Sequence, residues 1–281
     1  MKISVSMWSL HKYWYSKEMN VMGFLEWAAA TRVPSVELLN IFWQDIQTEL
    51  PQVVRFCQDN GLTVAAYDAT NNFVQGDEDR REAEIRRVLW DIEVARALGA
   101  PVVRVFSGDA HQGIAFGQAK GWIVEGLRRA AQYAERRQVR LALENHGLFA
   151  GRSEQVEEIL DAVGSPALTA NIDTANFLLV DDDPLAAARR LARRTGHVHF
   201  KDFREIGADD QGTAYTALSG KRFKGTIAGE GQVPFGEIIR ELRRAGYQGA
   251  LSVEFEGREE PKEGTAASFL ALQKLLADVE D

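Results

Sequence analysis

Four short apolar runs each end in a side chain able to bind a metal ion. RLALENHG, Arg140 to Gly147, delivers Glu144; LTANIDTAN delivers Asp173; GHVHFKD delivers His199; ALSVEFEG delivers Glu254. Each run is rich in strand-forming residues, so each ligand falls near the C-terminal end of an expected strand. Three carboxylates and one imidazole suit a divalent ion of the manganese, cobalt, magnesium or zinc kind rather than a soft copper site. Structural zinc usually takes thiolates and closes its shell. Thiolates are absent from this set, and four ligands leave an octahedral ion open to substrate oxygens, which points to a catalytic metal. The alternative is four unrelated strand-end residues held in salt bridges. Two of the four are Glu144 and Glu254. A metal that chelates a ketose carbonyl and its neighbouring hydroxyl acidifies the C–H between them. One glutamate could remove that proton and the other return it, which is isomerisation or epimerisation through an enediolate.

Elements must bring these side chains together. Strands are expected at Lys2 to Ser6, Ser35 to Leu39, Leu62 to Tyr67, Pro101 to Phe106, Arg140 to Glu144, Ala167 to Asp173, His197 to Lys201 and Gly249 to Phe255. Helices are expected at Val21 to Thr31, Glu49 to Asn60, Asp77 to Leu98, Gly121 to Arg137, Glu154 to Val163 capped by Ser153, Pro184 to Arg194, Phe235 to Ala245 and Thr265 to Ala277. Gly61 and Gly99 read as helix stops, and Pro184 as a first helical residue. Short connections between successive strand–helix units imply parallel strands. Eight such units in about 250 residues match an α/β fold of the closed (β/α)8 TIM-barrel type, taken as one domain over 1–281. A doubly wound sheet is the competitor, but SMWSLHKYW stands after strand one where a glycine-rich phosphate loop would be needed. In a barrel the ends of strands five to eight surround one mouth, where the four ligands can meet.

Composition narrows the partners. With 33 Lys and Arg against 41 Asp and Glu, the net charge of −8 disfavours nucleic acid and anionic membranes. The N-terminus is too polar for a signal peptide and no run approaches a membrane span, so a cytoplasmic protein is expected. The single Cys57 excludes an internal disulfide and reads as a buried helical thiol. A homo-oligomer is left open.

Further residues fall where a small-molecule substrate would lie. His146, just beyond Glu144, is a pocket-lining candidate. His197 shares the strand face of His199 by alternation, as a substrate contact or a packed polar residue. Glu37 ends strand two and could bind a hydroxyl or sit in a salt bridge. Trp8, His11, Trp14, Tyr15 and Phe73 could form an aromatic wall or pack under loops. The long segment Arg204 to Val233 is a candidate lid, and its Lys221, Arg222 and Lys224 could meet an anionic group or simply be solvated.

ENHG, NIDTAN, HVHFKD and SVEFEG, with GEGQVPF leading into the last elements, resemble the xylose isomerase-like TIM-barrel superfamily of sugar isomerases and epimerases, which also contains class II apurinic endonucleases. The resemblance covers nearly the whole chain in order and spacing. It implies that Glu144, Asp173, His199 and Glu254 are metal ligands, and that Glu144 and Glu254 are the acid–base pair of the ketose 3-epimerase branch. The HxKD-like ending makes Lys201 a substrate-oxygen ligand. Departures are specific: Asn176 stands where that branch has a substrate-binding His, Glu205 where it has Arg, with Arg204 adjacent as a substitute, and Ala150 where a further Glu is expected. Asn176 and Arg204 are therefore carried as substrate contacts, with recognition differing from the ketose 3-epimerases. The nuclease branch needs more histidine ligands than five histidines supply. The resulting reading is a divalent-metal-dependent isomerase or epimerase of a small carbohydrate or polyol-derived ketone. The alternatives are a dehydratase or lyase of inosose or dehydroshikimate type, and a non-catalytic sugar-binding or partner subunit.

Overall fold

The computed structural model describes residues 1–110 and 113–279. Strict alternation in the strands dictates its architecture. In β5, Arg140–Glu144, Leu141 and Leu143 belong to the main apolar core while Ala142 lies outside it. In β7, Thr195–Phe200, Val198 and Phe200 do the same while His197 and His199 are buried apart from that core. Successive side chains on a strand point to opposite faces, so one face packs on helices and the other turns toward a shared centre. β1 (Lys2–Ser6), β2 (Ser35–Leu39), β3 (Thr63–Asp68), β4 (Val102–Val105), β6 (Leu168–Asp173) and β11 (Ala250–Val253) complete a closed parallel barrel of order β1-β11-β7-β6-β5-β4-β3-β2. Barrel interiors are usually filled with branched aliphatics. Here the centre holds mostly small and polar side chains instead, among them Ser4, Ala66, Ala142, Asn171 and Ser252, with Val102 between the two alanines.

The helices follow from capping signals as much as from hydrophobicity. Asp45, Asp77 and Asp183 each accept a backbone N–H in the first turn of a helix: Ile46–Asn60, Glu78–Leu98 and Pro184–Leu191 respectively. Gly61, Gly99 and Gly164 end helices in the left-handed conformation. Several boundaries differ from expectation: helices Ile46–Asn60 and Pro261–Asp278 start before Glu49 and Thr265. Helix Phe116–Arg137 starts before Gly121, and helix Ser153–Val163 takes Ser153 as its first residue rather than its cap. Ser153 instead turns its backbone N–H and hydroxyl to Asp182, both at 2.9 Å, while Gln155 caps the Arg152 N–H at 3.0 Å.

The larger correction concerns residues 204–233. This segment forms an antiparallel three-stranded sheet with β8 (Asp202–Ile206), β9 (Tyr215–Thr216) and β10 (Arg222–Thr226). Asp202 accepts the N–H groups of Gly229, Gly231 and Val233 at 2.8–3.1 Å, which folds the segment back to the barrel. A Cβ on Gly225 would meet the Glu256 carbonyl at 2.2 Å, so only glycine allows β10 to lie against the end of β11. Lys221 pairs with Glu205 at 3.2 Å, and Arg222 donates to the carbonyls of Gly207, Ala208 and Asp210. These cations serve the sheet's own structure. Among the described residues, no helix is long and apolar enough to cross a membrane. Cys57 is buried, and burial pushes its thiol up to about 11.

Candidate metal centre and active site

Register carries the inward faces of β6, β7 and β11 to a common level. Asp173 pairs with His199 across β6 and β7, and Ser252 pairs with His199 across β11 and β7, leaving Glu254 just beyond. Irregularities occur between Val36 and Glu37 and between Ala170 and Asn171, immediately before residues that face the centre. Bulges commonly re-aim side chains beside active sites.

His199 is the pivot. Its Nε2 lies 2.9 Å from Glu37 Oε1 beneath the ring. Its Nδ1 faces the mouth, 3.4 Å from Glu144 Oε2, 3.5 Å from Glu254 Oε1 and 3.8 Å from Asp173 Oδ2, and neither ring nitrogen has a hydrogen-bond partner. A buried, orphaned imidazole nitrogen facing three carboxylates is the donor set a divalent cation completes, and these residues fit one. Burial works against a charged imidazole, yet Glu37, Glu254 and Glu144 outweigh it and hold His199 well above the usual histidine range. The centre therefore favours a cation, a proton in the metal-free protein. A second possible group, Glu37, His197 and His199, is closed on itself: Glu37 bonds His197 through one oxygen and meets His199 through the other.

The two glutamates are held differently. Glu144 forms an ion pair with Arg104 Nε at 3.2 Å and receives hydrogen bonds from Asn171 Nδ2 at 3.3 Å and Asn176 Nδ2 at 3.2 Å. Arg104 also reaches Asp68 at 3.2 Å and the Ala69 carbonyl at 3.1 Å, with its guanidinium 4.0 Å from the centre of the Phe106 ring. Glu254 receives Lys201 Nζ at 2.9 Å, and the same ammonium lies 2.7 Å from Asp173 Oδ2. Burial pushes the Glu254 carboxyl up to about 7, with Lys201 and His199 opposing. Burial would also raise Asp173, but Lys201 and His199 overcome it and lower that carboxyl. Above these groups opens a cavity of about 220 Å³. Glu144, Glu254, Glu256, Lys201, Arg104 and His146 give it a polar side, and Trp8, Tyr15, Leu39, Ile41 and Phe106 an apolar one.

Residues 25–275 match the family model of the xylose isomerase-like TIM barrel. The chain belongs to that family. A curated inosose dehydratase of Lacticaseibacillus casei is 26% identical over 137 residues, 48% of this chain and 46% of that protein. One of Clostridium botulinum is 24% identical over 201 residues, 69% of this chain and 66% of its own length. The chain thus spans about half to two thirds of the curated relatives it matches. A D-tagatose 3-epimerase-like protein superposes with a TM-score of 0.80 at 19% identity, covering 100% of this chain and 98% of the other. A crystal structure of IOLI protein with a bound zinc atom gives 0.77 at 17% identity, covering 99% and 98%. At these identities the superpositions show a shared barrel.

Within this xylose isomerase-like barrel, Glu144, Asp173, His199 and Glu254 come together as one cluster, and Lys201 and His146 face the cavity. The His146 ring lies 4.6 Å from that of Phe106. Four residues expected to contact substrate stand elsewhere. Glu37 and His197 are fully buried one layer deeper and bond each other. Asn176 is buried and spends its amide N–H groups on Glu144 and the Asn145 carbonyl. Arg204 is exposed and donates to Glu230, away from the mouth. Of the aromatic candidates, Trp8 and Tyr15 line the cavity; Trp14 packs on Phe42, His11 stacks on Trp8, and Phe73 is buried in the core. Arg104, Asp68, Asn171 and Glu256 went unmarked in the sequence. For Arg104 a signal existed, since a charge flanked by valines inside PVVRVF has to find a partner once buried.

Proposed function

We propose that this chain is a divalent-metal-dependent enzyme that moves a proton beside the carbonyl of a small polyhydroxylated ketone, giving an isomer or epimer. The observation that carries the proposal is that Glu144 and Glu254 both reach the 220 Å³ cavity and the orphaned His199 Nδ1, from strands with two others between them. Glu144, Asp173, His199 and Glu254 would hold the ion, which when bound polarises a substrate carbonyl and acidifies the neighbouring C–H. One glutamate takes that proton and the other returns one to the product. Arg104 and Asn176 keep Glu144 aimed, and Lys201 does so for Glu254. The apolar wall of Trp8, Ile41 and Phe106 limits the access of water to the carbanionic intermediate.

A second outcome, loss of water from the same intermediate, is favoured by one observation: the curated relatives at 24–26% identity are inosose dehydratases. Both outcomes share the first proton abstraction. Metal-loaded protein incubated in D2O with ketoses, inososes and dehydroshikimate, followed by NMR, tests the reading. Deuterium next to a carbonyl with an isomeric product supports it. An unsaturated product assigns the dehydratase outcome, and no exchange with any member of the panel contradicts the proton abstraction itself.

A further inference from the structure

The cavity carries one carboxylate that neither the ion nor proton transfer requires. Glu256 follows Glu254 by two residues, beyond the end of β11, and lines the same cavity with its side chain 10% exposed. Both its oxygens are pinned by donors from other parts of the fold. Trp8 Nε1, after β1, lies 2.5 Å from Oε1, and the Tyr215 hydroxyl, on β9, lies 2.8 Å from Oε2. Lys201 Nζ lies 3.8 Å from Oε1, outside hydrogen-bond distance. A carboxylate offers about four acceptor positions, so each Glu256 oxygen keeps capacity for a hydroxyl donor in the cavity.

Charge points the same way. Glu37, Glu144, Asp173, Glu254 and Glu256 bring five formal negative charges to the mouth and its floor, against two positive charges from Arg104 and Lys201; burial pushes the Asp68 carboxyl well above the usual range, which leaves it out of the count. A divalent ion would leave the balance at minus one. Arg104 and Lys201 already face carboxylates, and Lys221 and Arg222 of the small sheet are engaged with Glu205 and backbone carbonyls. Among the described residues, the two cations that line this cavity, Arg104 and Lys201, are already committed to the protein's own carboxylates rather than to a phosphate or carboxylate on the ligand. A fixed carboxylate with spare acceptor positions suits neighbouring hydroxyls.

We infer that Glu256, held by Trp8 and Tyr215, is the specificity-determining residue that accepts hydroxyl hydrogens of a neutral polyol and excludes anionic analogues. The inference rests on the proposed function for the site but concerns recognition alone, and so can be tested by binding. The probes are myo-inositol and D-fructose as neutral ligands and quinate and D-fructose 6-phosphate as anionic ones, titrated calorimetrically into the metal-loaded full chain. Wild-type protein should bind at least one neutral probe and prefer it to both anions. Glu256→Gln keeps size but surrenders charge and one acceptor oxygen; it should weaken the neutral ligand about tenfold, the loss expected for a charge-assisted hydrogen bond, and narrow the gap to the anions. Trp8→Phe removes one pinning donor and should give a smaller loss in the same direction. Tighter binding of either anion, absence of neutral-probe binding, or unchanged affinities in a folded Glu256→Gln protein would overturn the assignment. Neutral-ligand binding that depends on Glu256, without proton exchange, would leave this inference standing while the proposed reaction failed.

Discussion

The two halves of the barrel mouth use buried charge in opposite ways. From β5 onward, Glu144, Asp173, His199 and Glu254 converge on one nitrogen, His199 Nδ1, and leave it unpaired. From β2 to β4, Glu37, Asp68 and Arg104 are as deeply buried and also keep atoms without a hydrogen-bond partner, but these atoms lie against charged protein groups: Glu37 sits beneath His199, and Arg104 joins Asp68 to Glu144, with Glu37 and Asp68 outside the cavity lining. The first half is a scaffold for the second. The difference teaches that burial of charge alone does not identify a reactive group; what identifies it is a missing partner beside open space.

That division separates the effects of mutation. The largest is expected in the second half. Glu144→Gln and Glu254→Gln should each lower turnover by about 10²–10⁴, measured as product formed by metal-loaded protein, while the circular dichroism of the fold is retained. Near-normal turnover in either variant would break the assignment of the acid–base pair. In the first half the loss should be of stability. Arg104→Met leaves Asp68 and Glu144 buried without their cation, which typically costs about 3–5 kcal/mol in denaturant unfolding of the metal-free protein. Glu37→Gln sharpens the contrast, because it loosens the ring of His199 without touching the mouth carboxylates. Metal affinity by competition titration should fall by about 10–100-fold.

The smallest effect is a pH dependence in the first half. Asp91, on helix Glu78–Leu98, is pushed up to about 7 by burial, although Asn40 donates to it at 2.9 Å and offsets part of that. A carboxyl raised in the folded state penalises folding once it ionises, so stability falls as pH rises from about 4, where the unfolded chain releases this proton, to about 7, and is level above. Asp91→Asn should remove this contribution. Its Tm should exceed that of wild type by roughly 2–4 °C above pH 7, with no advantage near pH 4, in thermal melts across that range.

The same division governed how much could be read in the sequence. The second half was legible because HVHFKD and SVEFEG state both the alternation and the ligand at the strand end, and because four such endings in order imply convergence. The first half was not. Glu37 in SVELL looks like any strand-end acid, and only closure of the barrel brings it to His197 and His199 from distant sequence. Asn176 was noticed as a departure in NIDTAN, yet its role depends on the short helix Asn176–Leu179, which turns its amide back to Glu144. The small sheet of residues 202–226 lay hidden because its strands are short and polar. It is held by Asp202, by the Gly225 contact and by the isolated buried rings of Phe203 and Phe223, too few to make a readable pattern.

The most direct test is anomalous diffraction from crystals of the protein loaded with manganese or zinc, since among the described residues two ligand groups share His199 and one of them opens to the cavity. The account predicts a single ion bonded to His199 Nδ1 with Glu144, Asp173 and Glu254 around it. An ion on Glu37 and His197, or no ordered ion at the mouth, would contradict it.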